Sequence, residues 1–494
     1  MSGLKRTNKQ TNKEIDVSNL LNAIQNATNY TRTENAALTH ISTLDGVLDF
    51  FYHAPARRGQ DNTALFLKAF GEDRLTAIRC LFYIRDIRGG QGERETFRQG
   101  LRELYKNFRE VFDHILSYVP VYGRWDDIVE YVSNQKVVSV IREQLNLDLG
   151  SDEGVSLLAK WMPSINTSSK ETVALAHRWV KALGWTPVQY RKNLSALRGK
   201  IKLVETLMSQ NKWKDISYGQ IPSRAGLIYK DAFKRHDGTR YDEFLAAVVR
   251  GEEKINSGTL YPYELVAKSL HEKDQTAEAM WKCLPNYADT DDNALVVADV
   301  SGSMCGARGP SNIAPITVCI SLAIYLAERN KGIFHDKFIT FSDTPSVQSL
   351  KGDTLYEKVS NLSRATWGMN TNLQSVFNVV LSTAVKAKLP ASEMPTKIFI
   401  ISDMEFDYCV TNNTNLEVIK AKYAVSGYTL PTIIFWNVDS RNDQTPVTMD
   451  EKGTYLVSGC SPSIFEKAIK AQATTPMEMM LEVLNGPRYE PITL

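Results

Sequence analysis

Residues 294–305, ALVVADVSGSMC, decide how this chain is read. Five apolar or small residues run without a break and then give way to Asp299, Ser301 and Ser303 at D-x-S-x-S spacing. A short apolar run that breaks straight into small polar residues predicts a buried parallel strand ending in a loop. One carboxylate and two hydroxyls then point from that loop at a common spot. Oxygen donors that carry little charge suit Mg²⁺ or another small divalent cation that keeps part of its water shell and an open coordination place. Taken alone, Asp299 could equally cap the next helix and the serines form a turn. A nucleophilic Ser301 or Ser303 is disfavoured, because there is no G-x-S-x-G elbow and His335 is the only histidine in this region.

Other loops supply further oxygen ligands in order. Residues 397–403, KIFIISD, form a second apolar run ending in an acid, Asp403, and residues 367–373, WGMNTNL, place Thr371 ahead of a helical pattern. The combination resembles the von Willebrand factor A domain, whose metal-ion-dependent adhesion site (MIDAS) uses D-x-S-x-S, a threonine and a distal aspartate. The resemblance implies that Asp299, Ser301, Ser303, Thr371 and Asp403 hold Mg²⁺ and that the open place takes a carboxylate from a partner protein. It covers the chain from about residue 293 onward.

The surrounding pattern agrees with that fold. Strand-like runs at 295–298, 337–341, 397–401, 432–436 and 454–457 alternate with helical ones at 316–328, 373–385, 416–425 and 462–470. Such alternation predicts a doubly wound α/β domain over 289–494, with ligands at the carboxyl ends of its parallel strands.

Residues 31–288 read differently. Apolar residues recur at three and four, as in Leu65, Phe66, Ala69 and Phe70, and short turns carry Gly or Pro, as in GGQG at 89–92. Successive amphipathic helices are predicted, arranged as an all-α helical repeat or, in competition with it, a compact bundle. The first 30 residues, rich in Asn, Thr and Lys, read as a flexible tail. RDIRGGQGER at 85–94 lacks the order of a nucleotide-binding loop and reads as a helix-to-helix turn, its arginines pairing with Asp86, Glu93 and Glu95. Trp125-Asp126-Asp127 contains two carboxylates that, as neighbours on a helix, face different ways, so no catalytic role is assigned to them.

Three stretches of this half, RDIRGGQGER (85–94), VPVYGRWDDIVEY (119–131) and IPSRAGLIYKDAFKRHDGTR (221–240), together with the A-type domain behind them, resemble the TROVE-module proteins typified by the Ro ribonucleoprotein. The similarity is nearer to an uncharacterised branch found in plants, bacteria and viruses. It implies a HEAT-like ring or arc closed by the A domain, and an RNA partner that is single-stranded or a small non-coding species.

Charge is consistent with that partner. Residues 1–290 carry about 41 Lys and Arg against about 35 Asp and Glu, the remainder about 17 against 21, and residues 184–240 alone hold about 12 basic and 4 acidic side chains. Arg191, Lys192, Lys200, Lys202, Lys230, Lys234, Arg235 and Arg240 are the candidate phosphate contacts, interleaved with Tyr190, Trp213, Tyr229, Phe233 and Tyr241 as candidate stacking platforms. The alternative for those aromatics is that they are core.

Composition excludes other classes. At 494 residues with 43% hydrophobic and 23% charged content, the chain suits two or three globular domains. No apolar segment reaches the length of about 18 residues that spans a bilayer, and the first residues lack a signal-peptide core, so a cytoplasmic protein without a membrane partner is expected. The six cysteines show no C-x-x-C pairing, which argues against a disulfide framework or structural zinc. The reading is therefore a non-enzymatic RNA-binding scaffold with a metal site; its alternative is a metal-dependent protein-interaction scaffold that binds no RNA.

Overall fold

A hairpin of β1 (Tyr30–Arg32) and β2 (Leu38–His40) opens the described part of the computed structural model, which comprises residues 28–151, 154–201, 203–306, 313–341, 345–365, 371–410 and 413–494. Nearly all of the predicted tail, Lys202, and residues 367–370 of the WGMNTNL loop lie outside the described residues.

From Gly46 to Lys282 the chain is mainly helical, and capping side chains set where several of the helices start and stop. The helix Arg94–Asn107 begins where the Glu93 side chain accepts the Glu95 and Thr96 N–H groups, and it buries Phe97, Leu101 and Leu104 at helical spacing. The helix Lys170–Leu183 is capped by Ser169 and stopped by Gly184 in the left-handed region, φ +71°. The longest, Ser223–Val249, is kinked at Asp237.

The GGQG turn is structural, for a steric reason. A Cβ on Gly90 would stand 1.9 Å from the Tyr83 carbonyl, and one on Gly92, already at φ +57°, 1.9 Å from the Tyr261 hydroxyl. The arginines around it find partners other than those expected from sequence proximity. Arg85 and Arg98 both reach the fully buried Asp127 at 2.8 Å, and Arg98 and Arg124 reach Asp126 at 2.9 Å. The two adjacent carboxylates thus hold three arginines from different elements. Asp86 turns instead to the end of the chain, where Arg488 Nη2 donates to it at 2.8 Å and the Tyr489 hydroxyl at 3.0 Å.

The C-terminal half is a six-stranded sheet of β3 (Ala294–Ala298), β4 (Lys337–Thr340), β5 (Val347–Ser349), β6 (Lys397–Ser402), β7 (Thr432–Asn437) and β8 (Thr454–Ser458), in the order β5-β4-β3-β6-β7-β8. Five strands are parallel, and the edge strand β5, which sequence analysis did not find, is antiparallel to β4. β3 and β6 are in register from Ala294↔Lys397 to Ala298↔Ile401, buried on both faces as near-continuous apolar runs require. The chain steps from β3 outward to β4, then returns to β6 on the other side of β3. That reversal is the switch point at which open α/β sheets present a ligand crevice. Helices Leu355–Ser363 and Pro476–Leu484 are also additions to the sequence reading.

The two halves share one hydrophobic core. The helix Pro262–Val266 packs on Pro315–Arg329, and the helix Gly46–His53 packs on β8. Arg329 lies over both Trp281 and Tyr325, at 5.1 and 4.2 Å. Among the described residues no helix is long and apolar enough to cross a membrane.

His53 sits in this joint, 1% exposed, with Nδ1 2.7 Å from the Ser440 hydroxyl. Burial, helped by the Arg57 guanidinium, pushes its pKa down from 6.5 to about 4. Above pH 6.5 the imidazole is neutral whether the chain is folded or not. Between pH 6.5 and 4 only the unfolded chain takes up the proton, so stability falls across that window by about 2 kcal/mol at pH 5. Melting followed from pH 7 to 5 is expected to show this loss in the native chain and a shallower one in His53→Gln; parallel profiles for the two would count against it.

Candidate functional site

Asp299 follows the last residue of β3 and Asp403 the last residue of β6, so the reversal of strand order sets two carboxylates side by side. Asp299 is 0% exposed and Asp403 3%. Asp299 Oδ1 accepts the Ser301 N–H at 2.9 Å, and Oδ2 accepts the Ser402 hydroxyl at 2.6 Å. Both donors are neutral, and among the described residues no ion pair reaches this carboxylate. Burial first and the charge of Asp403 second raise the Asp299 pKa from 3.8 to about 6. A buried acid held this way lacks a cation.

In the D-x-S-x-S loop Ser301 Oγ lies 3.1 Å from Ser303 Oγ, beside Asp299. Both oxygens are near enough to share one ion. Among the described residues no three His, Cys, Asp or Glu side chains group as metal ligands, so an ion at this point would be held by hydroxyls and few carboxylates. That donor set fits a hard divalent cation such as Mg²⁺.

Thr371 is oriented differently. Its N–H donates to Asp407 Oδ2 at 2.7 Å, while its hydroxyl lies 3.0 Å from both Asp407 Oδ1 and the Glu405 carbonyl. The Asn35 side-chain amide donates to the same hydroxyl at 3.3 Å. The structure thus brings Asp299, Ser301, Ser303 and Asp403 together and turns the Thr371 hydroxyl toward the loop that follows β6.

Several residues at this site carried no signal in the sequence. Arg441, in the loop after β7, donates from Nη2 to Asp403 Oδ2 at 2.6 Å and from Nη1 to Glu34 Oε2 at 2.8 Å. Glu34 lies in the hairpin tip, whose N–H reaches Glu405 Oε2 at 2.7 Å, while Asn35 donates to the Glu405 carbonyl at 2.7 Å. These partners stand some 370 to 410 residues apart in sequence, and only the fold joins them. Ser402 alone was findable, since it precedes Asp403 in the strand-end motif.

The helical half sorts its predicted phosphate contacts into two groups. Arg191, Lys192, Lys200, Lys234 and Arg235 are exposed. Lys200 donates to the Ser151 carbonyl at 2.5 Å, and Lys234 lies 3.5 Å from Gln275 Oε1. Lys230 is instead ion-paired with the buried Asp274, and Arg240 is spent on Asp237, on the Ile216 and Trp213 carbonyls, and on the face of Tyr218 at 4.4 Å. The aromatics between them are mostly core. Tyr190 and Phe233 are 0% exposed and Tyr241 2%, and Trp213 stacks on His236 at 4.3 Å.

Two family descriptions match this chain: residues 293–483 match "Domain of unknown function (DUF7788)", and residues 33–110 and 136–296 match "Domain of unknown function (DUF2828)". Among solved structures, the crystal structure of the Deinococcus radiodurans Ro (RSR) protein aligns over 86% of this chain and 90% of its own, at 13% identity and a TM-score of 0.36. Uncharacterized protein L728 of Acanthamoeba polyphaga mimivirus is 31% identical over 515 residues, spanning 94% of this chain and 89% of that protein. With identity at that level along nearly the whole of both proteins, the chain belongs to the family of the mimivirus protein L728.

Proposed function

We propose that the chain is a non-enzymatic RNA-binding scaffold of the Ro ribonucleoprotein type. Its helical half, a HEAT-like arc, binds single-stranded or small structured RNA, and its C-terminal domain carries a Mg²⁺ site of the MIDAS kind. The observation that carries the metal site is the fully buried Asp299, which two neutral donors hold and which no cation among the described residues pairs. Asp299, Ser301 and Ser303 would hold the ion directly, and Asp403 would balance its charge from the neighbouring strand. Thr371 joins them by turning its hydroxyl off Asp407. Bound there, the ion supplies a Lewis-acidic place for a carboxylate of a partner protein.

Binding rather than chemistry fits the surroundings. The one serine–histidine contact at this edge, Ser440 with His53, is buried at 2% and 1% exposure, and burial keeps the imidazole neutral. The RNA reading is supported by the motifs shared with TROVE-module proteins and by Arg191, Lys192 and Arg235, which are exposed and make no ion pair among the described residues. Lys202, also proposed as a contact, lies outside the described residues. With Tyr190, Phe233 and Tyr241 in the core, the contact would be to phosphate more than to base faces.

Two outcomes test the two halves of the proposal. Millimolar Mg²⁺ is expected to raise the melting temperature of the native chain, chelator to reverse the rise, and Asp299→Asn to abolish it without lowering the metal-free melting point, since the substitution removes a carboxylate from beside Asp403. A metal response that survives in Asp299→Asn sinks the site. In a mobility-shift titration with mixed single-stranded RNA at low salt, the combined variant Arg191→Glu, Lys192→Glu, Lys234→Glu, Arg235→Glu is expected to bind at least about tenfold more weakly than the native chain, with a flatter salt dependence. Absence of any shift by the native chain at low salt removes RNA from the account and leaves the metal-dependent protein scaffold.

A further inference from the structure

Among the described residues the Arg441 guanidinium is the one cation that the fold brings to the strand-end carboxylates, and it is held from two sides. Asp403, whose side chain is wholly buried, accepts Nη2 at 2.6 Å; Glu34, about half exposed at the hairpin tip, accepts Nη1 at 2.8 Å. The remaining nitrogen, Nε, is buried and has no hydrogen-bond partner among the described residues. The loop is fixed on its other flank, where the Asn442 amide donates to Glu405 Oε1 at 2.9 Å and to Glu34 Oε1 at 3.3 Å.

A guanidinium cannot shed its charge in a protein. When a divalent cation comes to Asp299, the guanidinium on Asp403 is therefore a like charge across a shared, water-poor spot. It must either lower the ion's affinity or move. Glu34 gives it somewhere to go: the Glu34 bond can be kept while the Asp403 bond is given up, and the unpartnered Nε shows that the present position does not satisfy every donor.

We propose that Arg441 is a built-in competitor of the metal for Asp403, and that Glu34 of the hairpin is the carboxylate that draws it aside when the ion binds. This rests on the reading of the Asp299 loop as a divalent-cation site. The charge at positions 441 and 34 then sets the affinity of the site, and the hairpin tip becomes the element through which metal occupancy reaches the surface that a partner would meet.

Mn²⁺ titration of the full chain, with free ion read by electron paramagnetic resonance, tests it. Arg441→Gln is expected to bind Mn²⁺ about tenfold more tightly than the native chain, Arg441→Lys close to the native value, and Glu34→Gln several-fold more weakly. Melting in the absence of metal shows which variants are folded; should Arg441→Gln not fold, the surface variant Glu34→Gln decides. Unchanged or weaker binding in a folded Arg441→Gln, or unchanged binding in Glu34→Gln, overturns the proposal while Asp299→Asn still abolishes binding. Native-like Mn²⁺ binding in Asp299→Asn overturns the metal reading itself, and this one with it.

Discussion

Two carboxylates buried side by side constrain the whole sheet edge. Asp299 and Asp403 are brought together because β3 and β6 are parallel, in register, and separated in the chain by the excursion to β4 and β5. Two like charges in a place with little water repel each other and are each deprived of hydration, which is why Asp299 is pushed up to about 6. Everything around them offsets that cost. The Ser301 N–H and the Ser402 hydroxyl are spent on one carboxylate and Arg441 on the other. Packing alone would have put apolar residues at such positions, so the pair of acids is held there by these polar partners rather than by burial of apolar surface.

The same edge explains how the halves depend on each other. The chain crosses over at both ends: the β1–β2 hairpin lies on the C-terminal half, with Thr33 and Thr39 donating to the Phe406 and Thr445 carbonyls. In return, Arg488 and Tyr489 lie on the helical half at Asp86. A two-stranded hairpin of three residues a strand has little stability of its own and is held by what it touches. What it touches is the loop after β6 and the loop after β7, the two segments that frame Asp403. The hairpin is thus held on the strand-end site largely by hydrogen bonds, which can be exchanged without unpacking the molecule, whereas the helical half shares an extensive apolar core with the sheet besides its polar contacts.

The sheet was legible because its strands are short unbroken apolar runs that end in polar loops: β3, β4, β6, β7 and β8, and the helices Pro315–Arg329, Leu373–Ala387 and Asn415–Ser426 between them, fall within a residue or two of their expected bounds. The edge strand Val347–Ser349 was not, because its VQS sequence is too short and too polar to carry a period. Of the strand-end residues, Asp299, Ser301, Ser303 and Asp403 could be placed together because each follows or ends a strand-like run. Arg441 and Glu34 could not, since an arginine in a turn and a glutamate near the start of a chain have no pattern that links them; their meeting is a product of topology. The same limit applies to Arg85 of RDIRGGQGER and to Arg98 just beyond it, which find Asp127, and for Arg98 also Asp126, across a turn of the fold rather than the acids beside them in sequence.

The basic, aromatic-rich segment shows how a composition signal divides once it is folded. Aromatic side chains carry too much apolar area to stay in water when a core is within reach, and Tyr190, Phe233 and Tyr241 go into it. Basic side chains on the same helices either find an acid, as Lys230 and Arg240 do, or point outward, as Arg191, Lys192 and Arg235 do. What remains fully exposed is mostly charge, with Trp213 and Tyr229 half-buried beside it. On the proposed RNA reading, exposed charge of this kind would meet the phosphate backbone before the bases.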